Sequence, residues 1–270
     1  MLNILSNRTY RHLFMAQVIA LIGTGLATVA LGLLAYDLAG DRAGAVLGTA
    51  LAIKMSAYIL VAPVAAAFAD KFPRRTMLVT LDLVRALVAI TLPFVTQIWE
   101  IYILIFILQA ASAAFTPTFQ ATIPDILPDE REYTRALSLS RLAYDLESVI
   151  SPMLAAALLT VMSFHNLFAG TAVGFLASAA LVVSVTLPKM KALTVKRSIY
   201  DKTTRGMRIF LKTPRLRGLL ALNMAVAAAS AMVIVNTVVL VQADFGFSQR
   251  STAIALAFFG VGSMVSALVL

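Results

Sequence analysis

Lys54, Asp82, Arg85, Arg141, Asp145 and Glu147 are ionisable, yet each falls inside an apolar run. A charge in hydrocarbon is costly, so such residues face a protein interior, a partner or a water-filled path. There they can carry a proton, hold an ion or lock helices together. Spacing sorts them. Asp82 and Arg85 are three residues apart, and Arg141 and Asp145 four apart, so each pair shares one helix face. Mutual neutralisation that fixes helix packing is the plain reading of both pairs, with Arg141 and Asp145 kept as cavity candidates. Glu147 lies on a different face from Asp145 and has no partner in its own helix; neither has Lys54. At about 1.5 Å per residue, Lys54 lies roughly 15 Å and Glu147 roughly 20 Å into their runs from opposite sides. They share a depth and can pair or face a common cavity. Gln109 is the main polar group of the fourth run. No residue set suggests a cofactor or metal. Cysteine is absent, and His12 and His165 are expected at opposite membrane faces.

These groups must be positioned by spans. Of 270 residues, 60% are hydrophobic and 13% charged, about half the charge density of a soluble domain, which is roughly 25%. A span needs about 20 apolar residues. Eight runs qualify: 13–36, 44–68, 76–96, 101–120, 134–160, 167–187, 218–241 and 252–270. The first is too long for a signal peptide and leads straight into a second. With the N-terminus in the cytoplasm, 17 Lys and Arg fall inside and only Arg42 and Arg250 outside. That split predicts a cytoplasmic N-terminus. It also explains the net charge of +9 without nucleic acid. Tyr36 and Asp37 are expected at the outer rim.

Residues 188–217 form the one long loop and carry ten of the basic residues. Ile199, Met207, Ile209, Phe210 and Leu211 can form a stripe facing lipid headgroups, with cations opposite. On either side of this loop the sequence repeats weakly. Arg11 precedes Gln17 by six residues, as Arg217 precedes Asn223; Asp37 and Asp244 follow the two arginines by 26 and 27 residues. Six spans, a basic loop and a second set is the plan of transporters built from parallel repeats. The expected division is a six-span N-terminal bundle, 1–187; a basic cytoplasmic linker, 188–217; and the first two spans of a second bundle, 218–270. The chain stops inside an apolar run, so a truncated sequence is expected.

Between the second and third spans stands AAAFADKFPRRTML. This resembles the loop signature of the major facilitator superfamily. Carried over by position, Ala66 and Pro73 take its two glycines, Asp70 its acid, Lys71 its basic residue, and Arg74 and Arg75 its closing pair. The resemblance implies a conformational latch at Asp70, Lys71, Arg74 and Arg75, because an acid there can pair with arginines and a helix N-terminus. The fifth span carries Ser151-Pro152-Met153-Leu154-Ala155-Ala156, which resembles the exporter signature with small residues in place of glycines. Pro152 removes a backbone hydrogen bond and permits a bend, and Glu147 stands where that signature has a glycine. The arginine usual on the fourth span is missing, and Gln109 is the main polar group there. The opening NRTYRHLFMAQVIALIGTGLATVALGLLAYDLAG and LSLSRLAYDLE also resemble nickel-resistance exporters, although nickel favours imidazole and thiolate ligands.

The expected fold is all-α, a polytopic membrane bundle of the major-facilitator type. The expected function is secondary, proton-coupled export of a small molecule by alternating access. Its partners would be the lipid bilayer, protons and a small-molecule or ion substrate, with no nucleic acid, no cofactor and a monomeric state when complete. The expected location is a bacterial-type inner membrane. The alternatives are a nickel or heavy-metal resistance exporter and a non-transporting remnant or scaffold. An enzyme is not expected, because the loops are short and no catalytic cluster is visible.

Overall fold

The structure is a computed structural model and describes residues 2–39, 42–68, 72–188, 199–238 and 241, 245, 246, 255, 258, 259 and 262. The chain divides into two compact units, 1–203 and 204–270. The first opens with a 3-10 turn at Leu2–Ser6. Its helices are α1 (Arg8–Ala39), α2 (Ala43–Phe68), α3 (Arg74–Thr91), α4 (Ile98–Ile126), α5 (Glu130–Leu159) and α6 (Phe164–Val183). All six are long and apolar enough to cross a membrane. Every regular element among the described residues is helical. The amphipathic α7 (Ile199–Lys212) crosses the boundary between units, and α8 (Pro214–Val238) covers most of the expected seventh span. The expected eighth span lies outside the described residues apart from isolated positions.

Local chemistry sets the helix ends. Pro73 precedes α3, and Pro93 ends it in a short 3-10 turn, Leu92–Phe94. The third helix is therefore shorter than the expected 76–96 span. Gln97 and Glu100 form a capping box at the start of α4. Asp129 caps α5 by accepting from the amides of Arg131 and Glu132 at 2.9 and 3.0 Å. The helices α1, α4 and α5 extend several residues beyond the apolar runs, because these caps and polar ends continue the helix into the interface.

Within this unit α1 packs mainly on α6 and α5, α2 on α4, and α3 on both α4 and α6. Small residues set the crossings. The Thr171 hydroxyl of α6 donates to the Gly23 carbonyl of α1 at 3.0 Å. A Cβ on Gly174 would meet the backbone of Ile19 and Gly23 at 3.4–3.5 Å. Close approach through small residues substitutes for the hydrophobic driving force that lipid removes. Two apolar clusters fill the interior. One contains Leu34, Leu92, Ile101, Phe168 and Phe175. The other, at the opposite end, contains Tyr10, Leu13, Leu78, Phe119 and Ile123. Between them runs a buried polar layer of Gln17, Asp82, Arg85, Ser112, Ser140 and Ser178.

Candidate functional site

The polar layer opens into a cavity of about 120 Å3. It draws Gln17, Thr24 and Thr28 from α1, Lys54 and Tyr58 from α2, and Arg85 from α3. Ser112 and Thr116 come from α4, and Tyr144 and Glu147 from α5. Helical spacing explains the convergence: on each helix the polar residues recur three, four or seven apart and so share one face. Lys54 and Glu147 line this one cavity, yet form no direct ion pair among the described residues.

Arg85 is 3% exposed and tightly held. It pairs with Asp82 one helical turn back. Its guanidinium carbon lies 4.3 Å from the ring centre of Phe115 and 4.6 Å from that of Phe175, a cation–π clamp between the two apolar clusters. The Ser178 hydroxyl of α6 donates to the other oxygen of Asp82 at 2.7 Å. Asp82 and Arg85 thus join α3 to α4 and α6, while Arg85 also reaches the cavity wall. Among the described residues, the arginine Nε and the Ser112 Oγ are buried without hydrogen-bond partners.

The other expected charges lie elsewhere. Arg141 and Asp145 form a 3.3 Å pair on an exposed face of α5, with 78% and 58% of their side chains accessible, and neither lines the cavity. Gln109 is buried, its Oε1 without a hydrogen-bond partner among the described residues, and is not on the cavity wall. In the loop signature, Asp70 and Lys71 lie outside the described residues. Arg74 pairs with Asp125 at the end of α4 at 3.4 Å, and Arg75 donates to the Val183 carbonyl at the end of α6. Both arginines therefore tie the start of α3 to helix C-termini, where a cation is favoured. Pro152 lies within α5, one residue after Ser151, which a Cβ on Gly25 of α1 would overlap. Tyr36 and Asp37 are exposed near the end of α1.

Several wall residues were not marked by sequence reasoning. The Thr116 and Tyr144 hydroxyls are 3.0 Å apart. Ser140 donates to the Gln17 amide oxygen at 3.0 Å. The available signal was spacing: Ser140, Tyr144, Glu147 and Ser151 recur four, three and four apart on α5. Gly25 was missed too. A Cβ there would overlap Ser151 and come within 2.6 Å of Glu147 Oε1, so the carboxylate rests against bare backbone. Among the described residues no group of three or more His, Cys, Asp and Glu could hold a metal. His12 hydrogen-bonds Ser184 at 2.7 Å, and His165 packs on the Phe164 ring.

A polar, charged cavity inside six spans has a counterpart in sequence comparison. Residues 13–270 match the Major Facilitator Superfamily. The chain belongs to that superfamily. Three curated proteins are similar to this chain in sequence. Uncharacterized MFS-type transporter YfiS of Bacillus subtilis (strain 168) is 28% identical over 145 residues, 54% of this chain and 34% of that protein. Macrolide efflux protein A of Enterococcus faecalis is 25% identical over 154 residues, 53% of this chain and 47% of that one. Multidrug resistance protein MdtG of Dickeya zeae (strain Ech586) is 28% identical over 162 residues, 59% and 40% of the two chains. The matched stretch thus spans less than half the length of each relative. As a superfamily member with six helices long and apolar enough to cross a membrane, this chain is a multi-pass, helical membrane protein.

Proposed function

We propose that this protein exports a small organic molecule in exchange for protons, by alternating access about the mid-bundle cavity. The observation that carries this reading is the placement of Glu147 and Lys54 on one cavity wall without a direct ion pair. A carboxylate with no fixed partner is a group that can load and release a proton. A nearby ammonium makes its charge state depend on what else occupies the cavity. The hydroxyls of Tyr58, Thr116 and Tyr144 supply orientation for a polar substrate.

The cytoplasmic placement of the N-terminus and of residues 188–217 belongs to the same proposal and rests on the 17-to-2 distribution of Lys and Arg. The division at 1–187, 188–217 and 218–270, the bacterial inner membrane as location, and a monomeric transporter as the working unit are further parts of the proposal. A macrolide efflux protein among the relatives supports an organic substrate. The nickel alternative finds no ligand set of three or more His, Cys, Asp or Glu among the described residues.

Everted membrane vesicles from cells producing the protein provide the test. Macrolides, cationic dyes and nickel would be offered under an imposed pH gradient. The proposal expects gradient-dependent accumulation of an organic compound, abolished by a protonophore. Accumulation of nickel alone, or uptake indifferent to the protonophore, overturns it.

A further inference from the structure

The basic segment before the expected seventh span serves neither the cavity nor its coupling group. Lys202, Arg205, Arg208, Lys212, Arg215 and Arg217 lie there, and no Asp or Glu occurs between Lys202 and Asp244. Their counter-charge has to come from outside this stretch of chain. Two helices meet in it. The Thr213 amide donates to the Ile209 carbonyl at 3.0 Å at the end of α7, and the Thr213 carbonyl accepts from the amides of Leu216 and Arg217 at 3.0 Å at the start of α8. Pro214 lacks an amide hydrogen and breaks the helix at that point. In the elbow lies a groove of about 540 Å3, wholly within the unit 204–270. Leu211 of α7 forms one bank, and Arg217, Gly218, Leu220 and Met224 of α8 the other. Arg217 is the sole charged group among its lining residues. It is exposed and stands immediately before the apolar run of α8. Met224 lies roughly 10 Å further along the helix axis. A Cβ on Gly218 would meet nothing within 4 Å, so the groove is open there.

We propose that the α7–α8 elbow binds an anionic phospholipid, its phosphate paired with Arg217 and one acyl chain lying along Leu220 and Met224. Charge complementarity and position select the occupant. Guanidinium and phosphate match in charge and in geometry, because two parallel N–H donors can meet two phosphate oxygens. An arginine at the start of a span stands at the level of the headgroups, where clustered cations attract anionic lipid. The groove then descends along α8 toward the acyl region. A zwitterionic lipid would bring its ammonium group among cations with no acid in this stretch to receive it. A free phosphate would leave the apolar bank unfilled, and a neutral acyl chain would leave Arg217 without an anion. The amphipathic α7 agrees with this placement. Met207 and Leu211 share one face and are exposed, while Arg208 and Lys212 share the next. The site is independent of the exported substrate and of proton coupling.

Native mass spectrometry of the purified chain in detergent counts bound lipid directly. The probes are dioleoylphosphatidylglycerol, dioleoylphosphatidylcholine with the same acyl chains, and inorganic phosphate as competitor. The unmodified protein should bind the glycerol lipid at least tenfold more tightly than the choline lipid, and a thousandfold excess of phosphate should not displace it. Arg217→Gln should weaken binding of the glycerol lipid at least fivefold and leave that of the choline lipid within twofold. Gly218→Trp fills the open part of the groove and should weaken binding of the glycerol lipid at least fivefold with every cation still in place. Arg131→Gln removes a positive charge from the exposed start of α5 and should leave binding within twofold. Equal affinity for the two lipids, or glycerol-lipid binding unchanged in Arg217→Gln or in Gly218→Trp, overturns the proposal. Displacement by phosphate would assign the site to a free anion, and an equal loss in Arg131→Gln would reduce the effect to net charge; either result also overturns it. If Gly218→Trp misfolds, Arg217→Gln and the comparison of the two lipids still decide.

Discussion

Arg85 is buried between two aromatic rings with one carboxylate to balance it, and removing that carboxylate orphans a charge. Asp82→Asn should destabilise the bundle by about 3–5 kcal/mol, the usual cost of breaking a buried pair from one side. Asp82→Leu combined with Arg85→Met should recover most of that loss. Thermal unfolding in detergent reads both; equal damage from the single and double variants would contradict the account. The three-residue spacing made this pair legible in the sequence. The rings of Phe115 and Phe175 and the Ser178 hydroxyl were not legible, because they come from other helices. Which side chain meets which across two helices depends on the rotation of each about its axis, and periodicity within one helix does not contain that. The same limit separates Glu147 from Arg141 and Asp145. All three stand within two turns of α5, but only Glu147 turns toward the cavity.

Helices were the most legible feature at the scale of elements, since an apolar run of bilayer length has few other ways to satisfy its backbone. Their ends and crossings were less so. The Asp129 cap and the Gln97–Glu100 box carry α5 and α4 past the apolar runs. Gly23, Gly25 and Gly174 read simply as small residues until the register of α1 against α5 and α6 shows which approach is tight. Gly25→Ala should cost about 1–3 kcal/mol through overpacking against Ser151. Ser151→Gly should return part of it when combined with Gly25→Ala. A Gly25→Ala protein with unchanged unfolding temperature would mean that α1 and α5 do not cross there. At the start of α3, Asp125→Asn removes the Arg74–Asp125 ion pair and should slow transport while leaving the amount of inserted protein unchanged. Normal transport by Asp125→Asn at normal protein level would reduce that contact to anchoring.

The charge distribution speaks for the whole molecule. A fusion of alkaline phosphatase within 188–217 should be inactive, and a green fluorescent protein at the same place fluorescent; the opposite pattern would invert the proposed topology. The fold class was legible because composition, span length and charge asymmetry agree. The cavity was legible only in part: depth placed Lys54 and Glu147 at one level, but its wall is assembled from five helices. Proton coupling is the central claim, and it concentrates on one carboxylate. The most direct measurement records proton entry and substrate exit together in proteoliposomes, using the compound selected by the vesicle assay. The account predicts that Glu147→Gln still binds this compound but loses at least tenfold of its gradient-driven export and its substrate-dependent proton flux. Export and proton flux by Glu147→Gln equal to those of the unmodified protein would contradict it.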